Sequence, residues 1–268
     1  MNRIDTRFAE LEASGRKALV PFVTAGDPSL DATVPVLHAL VDAGADVLEL
    51  GVPFSDPMAD GPTIQRSSER ALGRGAGMSF VLDCVRRFRE TDAHTPVVLM
   101  GYLNPVEVRG AGRFAADAAA AGVDGVLLVD LPPEELGEFS DAFARHGLAL
   151  ILLAAPTTTD ARIALLCRAA QGYLYYVSFA GVTGADQLDA GAAGERLRTI
   201  RTRSNVPVVA GFGIRDAGSA ARMAREADGV VVGSALVSAI APARDEAEAA
   251  ALAGAFLRPL RAALDGAH

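Results

Sequence analysis

The chain has 268 residues, 50% hydrophobic and 22% charged, with a net charge of −8 and a pI near 5.1. That composition is of an ordinary globular protein, and its acidity argues against nucleic acid and anionic membrane surfaces as partners. Met1 to Glu12 is charged and lacks the apolar run of a secretory signal, later apolar runs are too short or broken to span a bilayer, and Cys84 and Cys167 read as free thiols, so a cytoplasmic, reducing location is expected.

The elements alternate from the start. Arg3 to Ser14 reads as a helix with Phe8 and Leu11 on one face, and Ala18 to Thr24 as a buried strand. A helix over Val34 to Ala43 and a strand over Val47 to Leu50 follow. Next come a strand at Val97 to Met100, a helix at Gly112 to Gly122, a strand at Gly125 to Val129 and a helix at Pro133 to His146. Leu148 to Leu153 is a strand, Asp160 to Ala170 a helix and Leu174 to Val177 a strand. The pattern closes with strands at Val206 to Ala210 and Gly229 to Val232 around a helix at Asp216 to Ala227, then a final helix at Asp245 to Leu264 interrupted by Pro259. Near-continuous apolar strands separated by helices imply a parallel sheet buried on both faces. Eight such units in a chain of this length predict a single α/β domain over 1–268, a (β/α)8 TIM barrel whose extra N-terminal helix could close its bottom. An open doubly wound sheet is the structural alternative.

The most informative stretch is Ala45 to Gln65, whose loop reads Gly51-Val52-Pro53-Phe54-Ser55-Asp56-Pro57-Met58-Ala59-Asp60-Gly61-Pro62. Glu49 sits in an apolar strand, where a carboxylate is costly unless paired, hydrogen-bonded or protonated. Three prolines and two glycines fix the loop that returns a second carboxylate, Asp60. Two carboxylates in different environments can serve as acid and base near neutral pH. The plain alternative is a strand-end Glu that caps a turn and an Asp in an Asx-turn.

Lys17 is the sole lysine and precedes the first strand, at the wrong end for a Schiff-base site. His38, His94, His146 and His268 show no paired ligand spacing, so no metal is expected. Strand seven ends Val208-Val209-Ala210-Gly211-Phe212-Gly213-Ile214 and strand eight ends Val231-Val232-Gly233-Ser234. Glycine loops after strands seven and eight are where barrels often take phosphate, on backbone N–H groups and a helix N-terminus. Alternatively these glycines serve only tight turns.

These residues resemble the tryptophan synthase α subunit family. The matching segments are Pro21 to Pro28, Glu49 through Gln65, Gly101 to Pro105, Gly122 to Gly125, Asp130 to Pro132, Pro156 to Thr159, Gly181 to Gly184, Gly211 to Ile214 and Gly233-Ser234, in the family's order. The resemblance implies a barrel that cleaves indole-3-glycerol phosphate to indole and glyceraldehyde 3-phosphate by a retro-aldol reaction without a cofactor. It implies that Glu49 shuttles protons, that Asp60 hydrogen-bonds the indole N–H, and that Tyr175 shapes the site around Glu49. Phe22, Ile64, Met100 and Leu127 are expected against the indole, and the phosphate on Gly184, Gly211, Gly213, Gly233 and Ser234. Thr183 is expected to meet Asp60 from the loop after strand six. The implied partner is a pyridoxal-phosphate β subunit in an α2β2 tetramer, contacted through Val52 to Met58 with Phe54 as apolar anchor. Ala180 stands where the family usually has Ser or Thr, which bears on loop closure. Met58 replaces a commoner Leu.

Three other readings share part of this pattern. A stand-alone indole-3-glycerol phosphate lyase would use the same catalytic residues, but the Pro53 to Pro57 segment favours the subunit. A silent regulatory partner of a β subunit would be expected to have lost Glu49 or Asp60. Another phosphate-binding barrel would use other strand-end residues.

Overall fold

A computed structural model describes residues 2–177, 190–211 and 213–266, with the backbone alone for 190–193. The order of elements is α1 (Arg3–Ala13), β1 (Ala18–Thr24), α2 (Thr33–Asp42), β2 (Leu48–Gly51), α3 (Pro62–Gly73), α4 (Met78–Arg89), β3 (Val97–Gly101), α5 (Leu103–Arg109), α6 (Ala111–Ala121) and β4 (Gly125–Leu128). A single 3-10 turn at Pro133–Glu135 precedes α7 (Gly137–Arg145), β5 (Ala149–Ala154), α8 (Asp160–Ala169), β6 (Leu174–Val177), α9 (Ala190–Arg203), β7 (Val208–Gly211), α10 (Ala217–Ala224), β8 (Gly229–Val232), α11 (Ser234–Ile240) and α12 (Glu246–Asp265). The eight strands are parallel and close in sequence order, β8 returning to β1 with Ala18 opposite Gly229. This is the (β/α)8 barrel, and the open sheet is excluded.

Strand parity explains what lies where. Ala18, Val20, Val47, Val98, Leu127, Ile151, Tyr173, Tyr175, Val209 and Val231 pack together inside the barrel, while alternate residues such as Leu19, Leu48, Leu99 and Val126 face the helices. Ile4, Phe8 and Leu11 of α1 join the inner cluster, so the N-terminal helix plugs the end where the strands begin. Asn2 caps that helix by accepting from the Ile4 N–H, and its amide donates to the carbonyls of Asp124 and Gly147.

The same end carries a recurring clasp. The first residue or two of each odd strand donates a backbone N–H to a side-chain oxygen just ahead of the next even strand. Leu19 bonds Asp46 at 2.9 Å, Val97 bonds Asp124 at 2.9 Å, Leu150 bonds Gln171 at 3.1 Å and Val208 bonds Asp228 at 2.9 Å. The three carboxylates are each held by an arginine: Arg261 on Asp46 at 2.9 Å, Arg89 on Asp124 at 2.8 Å and Arg201 on Asp228 at 2.6 Å. Buried charges persist only with such partners.

Element boundaries differ from expectation by a few residues in several places, and proline is the cause in two of them. The last helix runs through Pro259 without a break, because Pro259 and Ala255 are both solvent-facing. Water can then take the carbonyl that proline leaves without a donor. Strand seven begins at Val208 rather than Val206, since Pro207 has no N–H for the ladder.

Candidate active site

Where the strands end, the barrel opens into a cavity of about 780 Å³. Its floor is the upper inward layer of the strands: Phe22, Glu49, Met100, Leu153, Tyr175, Gly211 and Val231. Asp60, Gly61, Thr63 and Ile64 come in from the loop after β2 and the start of α3. Pro62 at the first turn of that helix fits because its N–H would be unbonded there anyway.

Glu49 lies opposite Phe22 on one side and Val98 on the other, and is wholly buried. Its Oε1 accepts a 2.6 Å hydrogen bond from the Tyr173 hydroxyl, and its Oε2 has no partner among the described residues. Burial pushes its pKa up to about 7, against the opposing pull of the Tyr173 bond. Near neutral pH both forms of the carboxyl are therefore populated, as a group that gives and takes a proton requires. Tyr173 was not foreseen. The signal was present, since Tyr173 and Tyr175 are two apart and so share the inward face.

Asp60 is half-buried. Its Oδ2 accepts from the Tyr102 hydroxyl at 3.0 Å, and burial raises its pKa while that bond lowers it. The Tyr102 oxygen in turn accepts from the Ala59 N–H at 3.0 Å. The Tyr102 ring, at the end of β3, stacks on Phe54 with centroids 5.1 Å apart. Phe54 is thus partly engaged by its own barrel, whereas Met58 on the same loop is 80% exposed and Val108 of α5 is 82% exposed.

Tyr175 is buried with its ring against Gly211, where a Cβ would lie 2.6 Å from the ring carbon Cε2, so a side chain at 211 would displace it. Both burial and the nearby Glu49 and Asp60 charges raise its pKa well above the ordinary value, which keeps it a neutral hydroxyl. Leu127 is placed differently from the other expected substrate contacts. It is fully buried one layer below, and Val129, two residues on, lines the cavity instead.

The far wall holds Gly213, Ile214, Arg215, Gly233, Ser234 and Ala235. Gly213 has a φ of +60°, a left-handed conformation that favours glycine. Gly233 precedes α11, so the N–H groups of its first turn have no partner within the helix. Arg215 brings the one guanidinium among the lining residues, a contribution absent from the sequence reading. Thr183, Gly184 and Ala180 lie outside the described residues. Among the described residues no group of His, Cys, Asp and Glu is arranged to hold a metal ion, and no helix is long and apolar enough to cross a membrane.

Comparison with known proteins bears on this cavity directly. A family model described as Tryptophan synthase alpha chain matches residues 8–263. The chain belongs to the tryptophan synthase alpha chain family. A tryptophan synthase alpha chain of Xanthomonas oryzae pv. oryzae (strain MAFF 311018) is 70% identical over 268 residues, covering 100% of both chains. One from Xanthomonas campestris pv. campestris (strain B100) is 68% identical over 265 residues, covering 98% of this chain and 97% of that one. Among solved structures, tryptophan synthase subunit alpha from Legionella pneumophila str. Paris superposes with a TM-score of 0.92 at 47% identity, covering 99% of each chain. The M. tuberculosis tryptophan synthase in open form with BRD0059 bound gives 0.87 at 36% identity, covering 98% of this chain and 99% of that one. As a member of the tryptophan synthase alpha chain family, the protein is a lyase of tryptophan biosynthesis.

Proposed function

We propose that the cavity holds indole-3-glycerol phosphate between the Glu49–Asp60 wall and the glycine wall, and that the carbon–carbon bond is cleaved there by carboxylate acid and base alone. The observation that carries this is Glu49: a wholly buried carboxyl at a strand end, pushed up to about 7, with one oxygen held by Tyr173 and the other unpartnered among the described residues.

In this reading the protonated Glu49 delivers its proton to indole C3, leaving the ring as an iminium. Glu49 as carboxylate then takes the proton of the hydroxyl on the adjacent glycerol carbon. The C–C electron pair returns to the ring as the bond breaks, giving indole and glyceraldehyde 3-phosphate. Asp60 accepts from the indole N–H and stabilises the positive charge that develops there. Phe22, Ile64, Met100 and Val129 provide apolar surface for the ring, with Tyr175 bounding the space above Glu49. The phosphate sits on the N–H groups around Gly213, Gly233 and Ser234, with Gly211 making room for Tyr175 and Gly184 contributing from outside the described residues. Arg215 favours the dianion from the same side.

The same proposal includes a β subunit that carries pyridoxal phosphate and accepts the indole, in an α2β2 assembly in the cytoplasm. Its support is the loop from Val52 to Met58. Two prolines limit the ordering cost of binding there, and Met58 on the loop is an exposed apolar side chain. The test is indole formation from indole-3-glycerol phosphate, with and without the β subunit. Indole release that rises on mixing, with co-elution of the two chains, supports the reading. Release without co-elution or stimulation would make the chain a stand-alone lyase, and no release with an intact Glu49 would make it a regulatory partner.

A further inference from the structure

We infer that Tyr102 is a positioning residue that fixes the Asp60 carboxylate and ties its orientation to the exposed loop through Phe54. The inference rests on the proposed role of Asp60 and adds to it the device that sets it.

Three contacts meet on one side chain. The Tyr102 hydroxyl donates to Asp60 Oδ2 at 3.0 Å and accepts from the Ala59 N–H at 3.0 Å, so it grips both the carboxylate and the backbone one residue before it. Its ring stacks on Phe54 at 5.1 Å. Tyr102 itself is only 4% exposed and stands on the rigid end of β3, with the next residue's N–H anchored on Asp130 at 2.7 Å. Asp60 is on a loop, so without this grip its carboxylate has rotamers that point away from the cavity. Phe54 and Asp60 belong to the same loop, and Tyr102 is the fixed post between them. Pressure on the loop surface at Met58 or Phe54 moves the ring and with it the oxygen that holds Asp60.

Two tyrosines feel the Asp60 charge: Tyr102 at the end of β3, which also feels Asp130 after β4, and Tyr175 from β6, which also feels Glu49 from β2. Burial disfavours the ionised form of Asp60, and Tyr102 is the described group that stabilises that form, by a hydrogen bond. Loss of that hydroxyl therefore moves the Asp60 titration up, and activity that requires the ionised form is lost at a higher pH than in the wild type.

The experiment is a cycle of Tyr102→Phe, Phe54→Ala and the double variant. Steady-state indole formation is measured across pH 5 to 9 on the chain alone and at saturating β subunit, with Asp60→Asn as reference. Tyr102→Phe keeps the ring stack and removes only the hydroxyl. It should lower kcat roughly tenfold with little change in KM, and shift the acid limb upward. Phe54→Ala should do the same to a smaller degree, and the double variant should be no worse than Tyr102→Phe alone, because Phe54 acts through the hydroxyl. Additive effects, or an acid limb that stays in place in Tyr102→Phe, overturn the inference. Should Tyr102→Phe prove unstable, an unmoved limb in Phe54→Ala overturns the coupling by itself. Full activity in Asp60→Asn would instead overturn the role of Asp60.

Discussion

Replacing Glu49 with glutamine separates catalysis from stability in a way that depends on pH. The group is wholly buried and its pKa stands at about 7 against an ordinary 4.5. Its folded pKa is raised, so between those values the folded state binds more protons than the unfolded one. The protein then loses stability as pH rises from about 4.5 to about 7, and the whole penalty is present above that window. At about 1.4 kcal/mol per pH decade, the penalty is about 3 kcal/mol. Glutamine keeps an acceptor for the Tyr173 hydroxyl and never ionises, so the variant escapes the penalty. Its stability relative to wild type should rise by about 3 kcal/mol between pH 4.5 and pH 8.5, or roughly 6–10 °C in Tm for a chain of this size. The assay is thermal unfolding of both proteins at the two pH values, beside indole formation at pH 7.5. Activity should fall by about 10²–10⁴-fold. A Tm difference that is the same at both pH values would refute the assignment of a raised pKa. More than a tenth of wild-type activity would refute the proton role.

Other substitutions probe the phosphate wall, the cavity floor and the closed end of the barrel. Gly213→Val forces a β-branched residue to a φ of +60° beside the phosphate wall and should raise KM at least tenfold, whereas Ser234→Ala should cost about 0.5–1.5 kcal/mol of substrate binding, both read from steady-state kinetics. Gly51→Ala would place a Cβ 2.5 Å from the Phe22 ring and drive it toward the cavity, so KM for the substrate should rise several-fold while Glu49 and Asp60 stay intact. Arg89→Met removes one of the two arginines on buried Asp124, Arg3 staying on it at 2.8 Å, and should cost about 1.5–3 kcal/mol of stability in urea unfolding, with kcat unchanged because the site is at the other end of the barrel.

The order of strands was legible because each is a short apolar run between helical stretches, and only a parallel buried sheet makes use of eight such runs. Glu49 and Asp60 were legible because a carboxylate in an apolar strand and a proline-fixed return loop are each costly without a purpose. Tyr173 and Tyr102 were not. Their importance arises from register: Tyr173 shares an inward face with Tyr175, and Tyr102 meets Asp60 only because β2 and β3 pair with Gly51 opposite Met100. The depth of Leu127 is likewise a register property, since one step of two along the strand separates the packed interior from the cavity. Arg215 escaped notice because an arginine after a strand is ordinarily a solvated side chain. The continuity of α12 through Pro259 depended on which side of the helix faced water, and that is settled by packing rather than by the residue.

The four clasps at the barrel's closed end also bear on how the ring assembles. They join residues 27, 27, 21 and 20 positions apart, so each links neighbours in the chain. Each is a short-range closure, whereas joining β1 to β8 brings Ala18 to Gly229. Loop-closure entropy grows only with the logarithm of length, which makes that last joint about 2 kcal/mol dearer than a clasp. A barrel assembled from four locally closed pairs therefore meets no single large entropic step. The Lys17 ammonium, which donates to the Ala227 carbonyl at 2.8 Å across that seam, helps to fasten the final joint, a task at the opposite end from the chemistry for the chain's one lysine.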